Sequence, residues 1–448
     1  MKLVNDFPDT SKSQQLYAQA GTKIPGWVQL ISRRAERFAN GVSPLYVESS
    51  KGSRFVDVDG NEFIDWTRAL GAVILGYADP VVDAAVKAQI DKGSLHSMSS
   101  RLELELADEL IETIPSAEMV RYTKGGGEAC AVAARIARGT TDRDIILFCG
   151  YHGWHDWYQS ANYLVDPDSG EYPFAGIEPI GVPRALAGTA LPFSYGDLDA
   201  LGRLFSEYQD RVAAVMMEPA RSERPEPGYL EGVKELCHRN GALLIFDEVS
   251  CGWRESIGGM QTYLGVTPDM TVLAKGMSNG YPMGAVVGTR EAMDAAKIMF
   301  VSSSYWSDNV GLAAALTTIR ELKKRDSERQ LKELGTLAAK AIDEAVASAG
   351  LEGGCKGFPA TPNLVLDLPD ASLQPKAFTL FIQEMARRGI HGYTGFGPTL
   401  AHTEDDIRIT AEAAEASLRV IKQGLENDSI DDLLVSDTRQ EPFRRLVH

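Results

Sequence analysis

Cysteine is scarce in this 448-residue chain: Cys130, Cys149, Cys237, Cys251 and Cys355 are an odd five, widely scattered, with no Cys-x-x-Cys pair. That spacing excludes a disulfide scaffold and a zinc ribbon, and it predicts reduced thiols in a cytoplasmic protein. Long apolar runs are also missing. No stretch of about 18 apolar residues occurs, and the opening MKLVNDFPDTSKSQQ lacks the apolar core of a secretion signal, so neither a membrane partner nor export by that route is expected. Basic residues are outnumbered, 45 against 62 acidic, for a net charge of −17. Such a surface repels a phosphate backbone, and nucleic acid is not an expected partner. Fixed-period repeats and low-complexity tracts are absent, which sets aside a solenoid or a disordered scaffold.

What is present reads as a protein with one large and one smaller domain, because single cores seldom grow past about 250 to 300 residues. Residues 45–66 (LYVESSKGSRFVDVDGNEFIDW) alternate apolar and polar positions around the turn signal Asp59-Gly60, as antiparallel strands do. From about residue 80 to 300, helical stretches such as PVVDAAVKAQIDKG and EACAVAARIARG alternate with the short apolar runs DIILFCG, VAAVMMEP, ALLIFDEV and MTVLAK. Buried strands separated by helices predict an α/β fold with a mainly parallel sheet. The helical NVGLAAALTTIRELKKRD, a further long amphipathic helix, the strand-like NLVLDLP and the helical FTLFIQEMARRG follow, and predict a second α/β region that joins the N-terminal hairpin.

Parallel sheets bind ligands beyond the C-terminal ends of their strands, so residues closing the apolar runs are the first candidates. ALLIFDEVS closes on Asp247 and MTVLAKG on Lys275. A lysine among apolar neighbours loses its proton readily and can attack an aldehyde, and an aspartate beside it can hold a protonated pyridine nitrogen. Either residue alone also fits an ordinary surface or capping group. Lys124-Gly125-Gly126-Gly127-Glu128 precedes a helical pattern, and its glycines would let backbone amides approach a phosphate. The same spacing fits a plain turn into a helix, and it lacks the Lys-Ser/Thr ending of a P-loop. Gly150-Tyr151-His152-Gly153-Trp154-His155 follows a strand and offers an aromatic face for a planar cofactor. Its two histidines, three apart and without cysteines, fit core or surface positions better than a metal site, and no metal is expected.

In this order the motifs resemble the class III aminotransferases of fold type I, and most closely the glutamate-1-semialdehyde 2,1-aminomutase branch, over roughly residues 20 to 420. The segment LLIFDEVSCGWRESIGGMQTYLGVTPDMTVLAKGMSNGYPMGAVVG is similar to that family's cofactor signature along its whole length. The resemblance implies pyridoxal 5′-phosphate (PLP) held as a Schiff base on Lys275, with Asp247 on the pyridine nitrogen, Val249 against one ring face and Tyr151 on the other. Gly126 and Gly127 match the phosphate loop, where the family usually has Ser-Gly-Thr. Ser304, in SSSYWSDNVGLAAA, stands near the threonine by which a neighbouring subunit reaches the phosphate. A homodimer with shared active sites is therefore implied. So is a division into an N-terminal arm (1–30), the N-terminal part of a small domain (31–70), a large PLP-binding domain (71–325) and the remainder of the small domain with an acidic tail (326–448).

Departures from the family pattern bear on substrate. Ser250 stands where many members have a glutamine after Asp-Glu-Val, and GYTGFGPTLAHTEDD lacks the arginine common in transaminases acting on ω-amino acids. IPGWVQLISRR places Arg33 at the spacing of the arginine by which the mutase branch binds substrate, with Arg34 one register away, while Leu70 and Lys124 replace an aromatic and a small polar residue of that pocket. The reading that follows is an aminotransferase that moves an amino group from a donor amine or amino acid to an aldehyde or ketone acceptor. An intramolecular 2,1-aminomutase and a PLP-dependent epimerase are the alternatives.

Overall fold

The structure is a computed structural model that describes residues 7–164, 179–220 and 222–439. These divide into two units, one of residues 7–70, 74–79 and 329–439, the other of residues 71–73 together with the described part of 80–328.

In the first unit β1 (Val47–Lys51), β2 (Arg54–Asp57) and β3 (Glu62–Asp65) form an antiparallel meander. Its second turn carries Gly60 at φ 91°, a left-handed conformation that glycine adopts without steric cost. Phe55 and Phe63 face each other across β2 and β3, and both are buried. The alternation legible in residues 45–66 therefore does form adjacent strands.

The second unit is built on seven strands: β4 (Met119–Thr123), β5 (Ile145–Cys149), β6 (Ala190–Pro192), β7 (Val212–Met217), β8 (Leu243–Asp247), β9 (Met270–Leu273) and β10 (Gly284–Gly288). Their spatial order is β4-β10-β9-β8-β7-β5-β6, with β10 antiparallel to both neighbours and the run from β9 to β6 parallel. The continuous apolar runs are explained by helices on both faces. On one face Ala133, Ile136 and Ala137 of the helix Gly126–Thr141 pack with Ile146, Ile245 and Val272. On the other, Leu201 and Phe205 of the helix Leu198–Glu207 and Val233 of the helix Tyr229–Arg239 pack with Leu147, Val215 and Phe246. Successive strand residues thus enter opposite cores, and each fully buried Leu, Ile, Val or Phe contributes about 1.5–3 kcal/mol of transfer free energy.

The C-terminal part of the first unit adds the hairpin β11 (Gly353–Phe358) and β12 (Thr361–Leu366), and β13 (Ile390–His391), which pairs in parallel with β3. Ala338, Ile342 and Ala345 of the helix Ser327–Ser348 share a core with Leu364 of β12, Phe381 of the helix Gln374–Arg387 and Leu418 of the helix Glu404–Glu426. No described helix is long and apolar enough to cross a membrane.

Candidate active site

Because β5, β7, β8 and β9 run the same way, the residues that follow them gather at one edge of the sheet. Asp247 ends β8, opposite Val272 in the neighbouring β9. That strand stops at Leu273, and Lys275 opens the single-turn helix Lys275–Ser278 two residues later. Lys275 has φ 47°, a left-handed conformation that costs a side chain of its size on the order of 1–3 kcal/mol and that tends to mark functional positions. Its Nζ lies 2.6 Å from Ser250 Oγ.

Asp247 is buried and held from three sides. Oδ2 lies 2.8 Å from His152 Nδ1 and accepts a hydrogen bond from Cys130 Sγ at 3.3 Å, while Oδ1 accepts from the Val249 amide at 3.0 Å. The ligand-type atoms of Cys130, His152 and Asp247 lie within 4.8 Å of one another, but they are spent on these mutual hydrogen bonds. Burial, and next the Asp247 carboxylate, push the Cys130 thiol well above its ordinary range, so it stays protonated and donates. Sequence reasoning left His152 as a core or surface histidine and did not single out Cys130. A signal did exist: Cys130 stands one helical turn after Gly126, and His152 directly follows the candidate Tyr151.

Tyr151 is partly buried after β5, where its amide donates to Glu218 Oε1 at 3.0 Å. Glu218 follows β7 and is buried, so it fastens one strand end to another; it too went unnoticed in the sequence. Burial raises the Tyr151 phenol, which remains neutral at ordinary pH.

The glycine loop lies against the same residues. Gly126 and Gly127 begin the helix Gly126–Thr141 rather than precede it, so the first amides of that 16-residue helix have no partners within the helix. A Cβ on Gly126 would meet Val249 Cγ1 at 2.7 Å, and one on Gly153 would meet Gly127 Cα at 2.6 Å. Close backbone approach therefore accounts for glycine at 126 and 153. Lys124, at the head of the loop, forms an ion pair with Asp308 at 3.1 Å. Asp308 also caps the helix Asn309–Lys324 through the amides of Val310 and Gly311.

Two further candidates lie on other segments. Ser304 opens the turn Ser304–Ser307 and is exposed, and among the described residues no hydrogen bond joins it to the cluster above. Arg33 belongs to the first unit, where it is exposed at the end of the turn Ile31–Arg33; burial and then the Asp65 carboxylate raise the Tyr77 phenol well above its ordinary range, and the Arg33 charge opposes that only weakly. Its neighbour Arg34 is committed elsewhere, 3.8 Å from Glu36 and packed over Gly26.

These residues suit PLP: a lysine amine, a buried carboxylate held in one orientation, a partly buried aromatic face, and a helix N-terminus kept free of side chains by glycine. Residues 37–349 match the family model described as aminotransferase class-III. The chain is 34% identical over 435 residues to a 3-aminobutyryl-CoA aminotransferase of Cloacimonas acidaminovorans, covering 93% of this chain and 98% of that protein. It is 35% identical over 437 residues to a glutamate-1-semialdehyde 2,1-aminomutase of an Exiguobacterium species, covering 92% and 98%. Among solved structures, one described as a transaminase with PLP bound superposes with a TM-score of 0.82 at 27% identity, covering 94% of this chain and 99% of that one. Motifs, fold and relatives agree, and this chain belongs to the class-III aminotransferases, PLP-dependent enzymes of fold type I.

Proposed function

We propose that Lys275 is the residue that holds PLP covalently and that Asp247 pairs with the pyridine nitrogen, in an enzyme that passes an amino group from a donor amine to an aldehyde or ketone. The observation that carries this reading is the placement of Asp247 and Lys275 at the ends of the adjacent parallel strands β8 and β9. When bound, PLP supplies an electron sink for charge freed at the substrate carbon. Asp247, kept in place by His152, Cys130 and the Val249 amide, would hold a proton on the ring nitrogen. Lys275 Nζ, freed from the cofactor, would serve as the base that takes a proton from the substrate α-carbon and returns it in the transfer step. Val249 and Tyr151 would hold the ring between them, and the amides of Gly126 and Gly127 would bind the phosphate. Borohydride reduction followed by peptide mapping tests the assignment. The expected label is on the Lys275 peptide, and a label on any other lysine overturns it.

The assembly in this reading is a homodimer in which Ser304 reaches the phosphate held by the second copy. Ile298 and Phe300 support it, being 92% and 86% exposed in one chain, as apolar side chains awaiting a partner are. A single-chain mass by sedimentation contradicts it. We place the enzyme in the cytoplasm, consistent with five free cysteines of which Cys130, Cys149 and Cys237 are buried; recovery from another cell fraction contradicts this. The domains follow the same reading: an arm over 1–30, a large PLP domain over 71–325, and a small domain from 31–70 and 326–448. Limited proteolysis that leaves a stable fragment with other ends contradicts that division.

A second reading, intramolecular 2,1-transfer, is favoured by the spacing from Ile24-Pro25-Gly26 to Arg33 and by the aminomutase relative. Turnover of a single amino aldehyde without a co-substrate separates it from intermolecular transfer.

A further inference from the structure

The contact between Ser250 and Lys275 has no place in the assignments above. Ser250 lies in the tight turn that follows β8, where the Gly252 amide donates to the Glu248 carbonyl at 2.9 Å. A Cβ on Gly252 would come within 2.7 Å of that carbonyl oxygen, so the turn closes with glycine and little else. The Ser250 carbonyl accepts from Arg254 Nε at 2.9 Å, and the Arg254 guanidinium is buried, with Nη2 donating to the Gly71 carbonyl. A closed turn and a buried guanidinium thus hold the Ser250 backbone, while its hydroxyl reaches Lys275 Nζ at 2.6 Å.

The chemistry of a hydroxyl matters here. An ammonium can only donate hydrogen bonds, whereas a neutral amine also offers a lone pair. A carboxylate at this position would hold the ammonium and oppose loss of its proton. A hydroxyl accepts from the ammonium and, after rotating, donates to the amine, so one contact persists while the proton comes and goes. We propose that Ser250 is a positioning residue that docks the free amino group of Lys275 in both protonation states during the step in which that group carries a proton. The proposal rests on Lys275 being the attachment residue.

The test uses the full-length enzyme and its Ser250→Ala and Ser250→Thr variants, each first mapped by borohydride labelling. In Ser250→Ala we expect the single-turnover rate with an amino donor to fall about tenfold while donor KM stays within about twofold, as for an interaction used in the chemical step. The isotope effect from α-deuterated donor should rise, because proton transfer becomes more fully rate-limiting. In cofactor-free protein, reductive methylation of Lys275 relative to the other lysines should rise at least about threefold, the low end of what one lost hydrogen bond permits. Ser250→Thr, which keeps a hydroxyl, should return all three readouts toward wild type.

Wild-type isotope effect and methylation in Ser250→Ala overturn the proposal. So does a Ser250→Thr variant as impaired as Ser250→Ala, since that marks a packing defect. If the wild-type label lies on Lys275 and these results are nevertheless found, only the role of Ser250 falls. A label on another lysine removes both readings.

Discussion

His152 and Asp247 form a buried pair, Nδ1 to Oδ2 at 2.8 Å, between the segment after β5 and the end of β8. The imidazole, with the Cys130 thiol and the Val249 amide, fixes the carboxylate's direction. His152→Ala removes a hydrogen bond to a charged group, a loss of about 1.5–3 kcal/mol, so turnover should fall by roughly ten- to a hundredfold. A steady-state assay beside a thermal melt checks this. Wild-type turnover in the folded variant would show that Cys130 and the Val249 amide suffice to orient Asp247.

Gly126 and Val249 are packed so closely that a methyl group at 126 has to displace the valine. Gly126→Ala should raise the Kd for PLP about tenfold, read by titrating cofactor-free enzyme and following visible absorbance, in line with the roughly 1–3 kcal/mol typical of overpacking. At Gly127 the added carbon meets the backbone less severely, at 3.2 Å from Gly153 Cα, and Gly127→Ala should be milder. Equal affinities in wild type and Gly126→Ala would place the ring elsewhere.

Glu248, buried behind Asp247, accepts from the amides of Met260 and Gln261 and from the Gln261 side chain. Burial outweighs these bonds and raises its carboxyl to about 7. Between the ordinary carboxylate range and about 7 the folded state therefore holds a proton that the unfolded chain has released. This group makes stability fall as pH rises through that window. Glu248→Gln cannot ionise, so the Tm difference between wild type and variant should move in the variant's favour from pH 5 to pH 8. A difference that does not change with pH would show the carboxyl ionised in both states.

Arg33 carries the prediction about substrate. It is exposed, while Arg34 is engaged with Glu36 and Gly26, so Arg33 is the freer guanidinium of the two for a carboxylate-bearing substrate. Arg33→Ala should raise KM for such a substrate about tenfold or more and leave the cofactor spectrum unchanged. An unaltered KM for every carboxylate substrate would make Arg33 a surface residue.

Much of the architecture was legible because local periodicity reports local backbone geometry. The alternation around Asp59-Gly60 became β1 to β3, and four apolar runs became β5, β7, β8 and β9. Asp247 and Lys275 stood out because each closes such a run. Small shifts arose where tertiary packing set the boundary: the helix begins at Gly126, and β9 ends two residues before Lys275.

Local patterning carried the order of strands and helices along the chain and the family signature around Lys275. The tertiary structure alone decided which polar groups meet. Cys130 and His152 stand 117 and 95 positions from Asp247, and Ser250 stands 25 from Lys275. No spacing rule joins them, because the sheet places β9, β8, β7 and β5 side by side in an order set by helices packing on both faces.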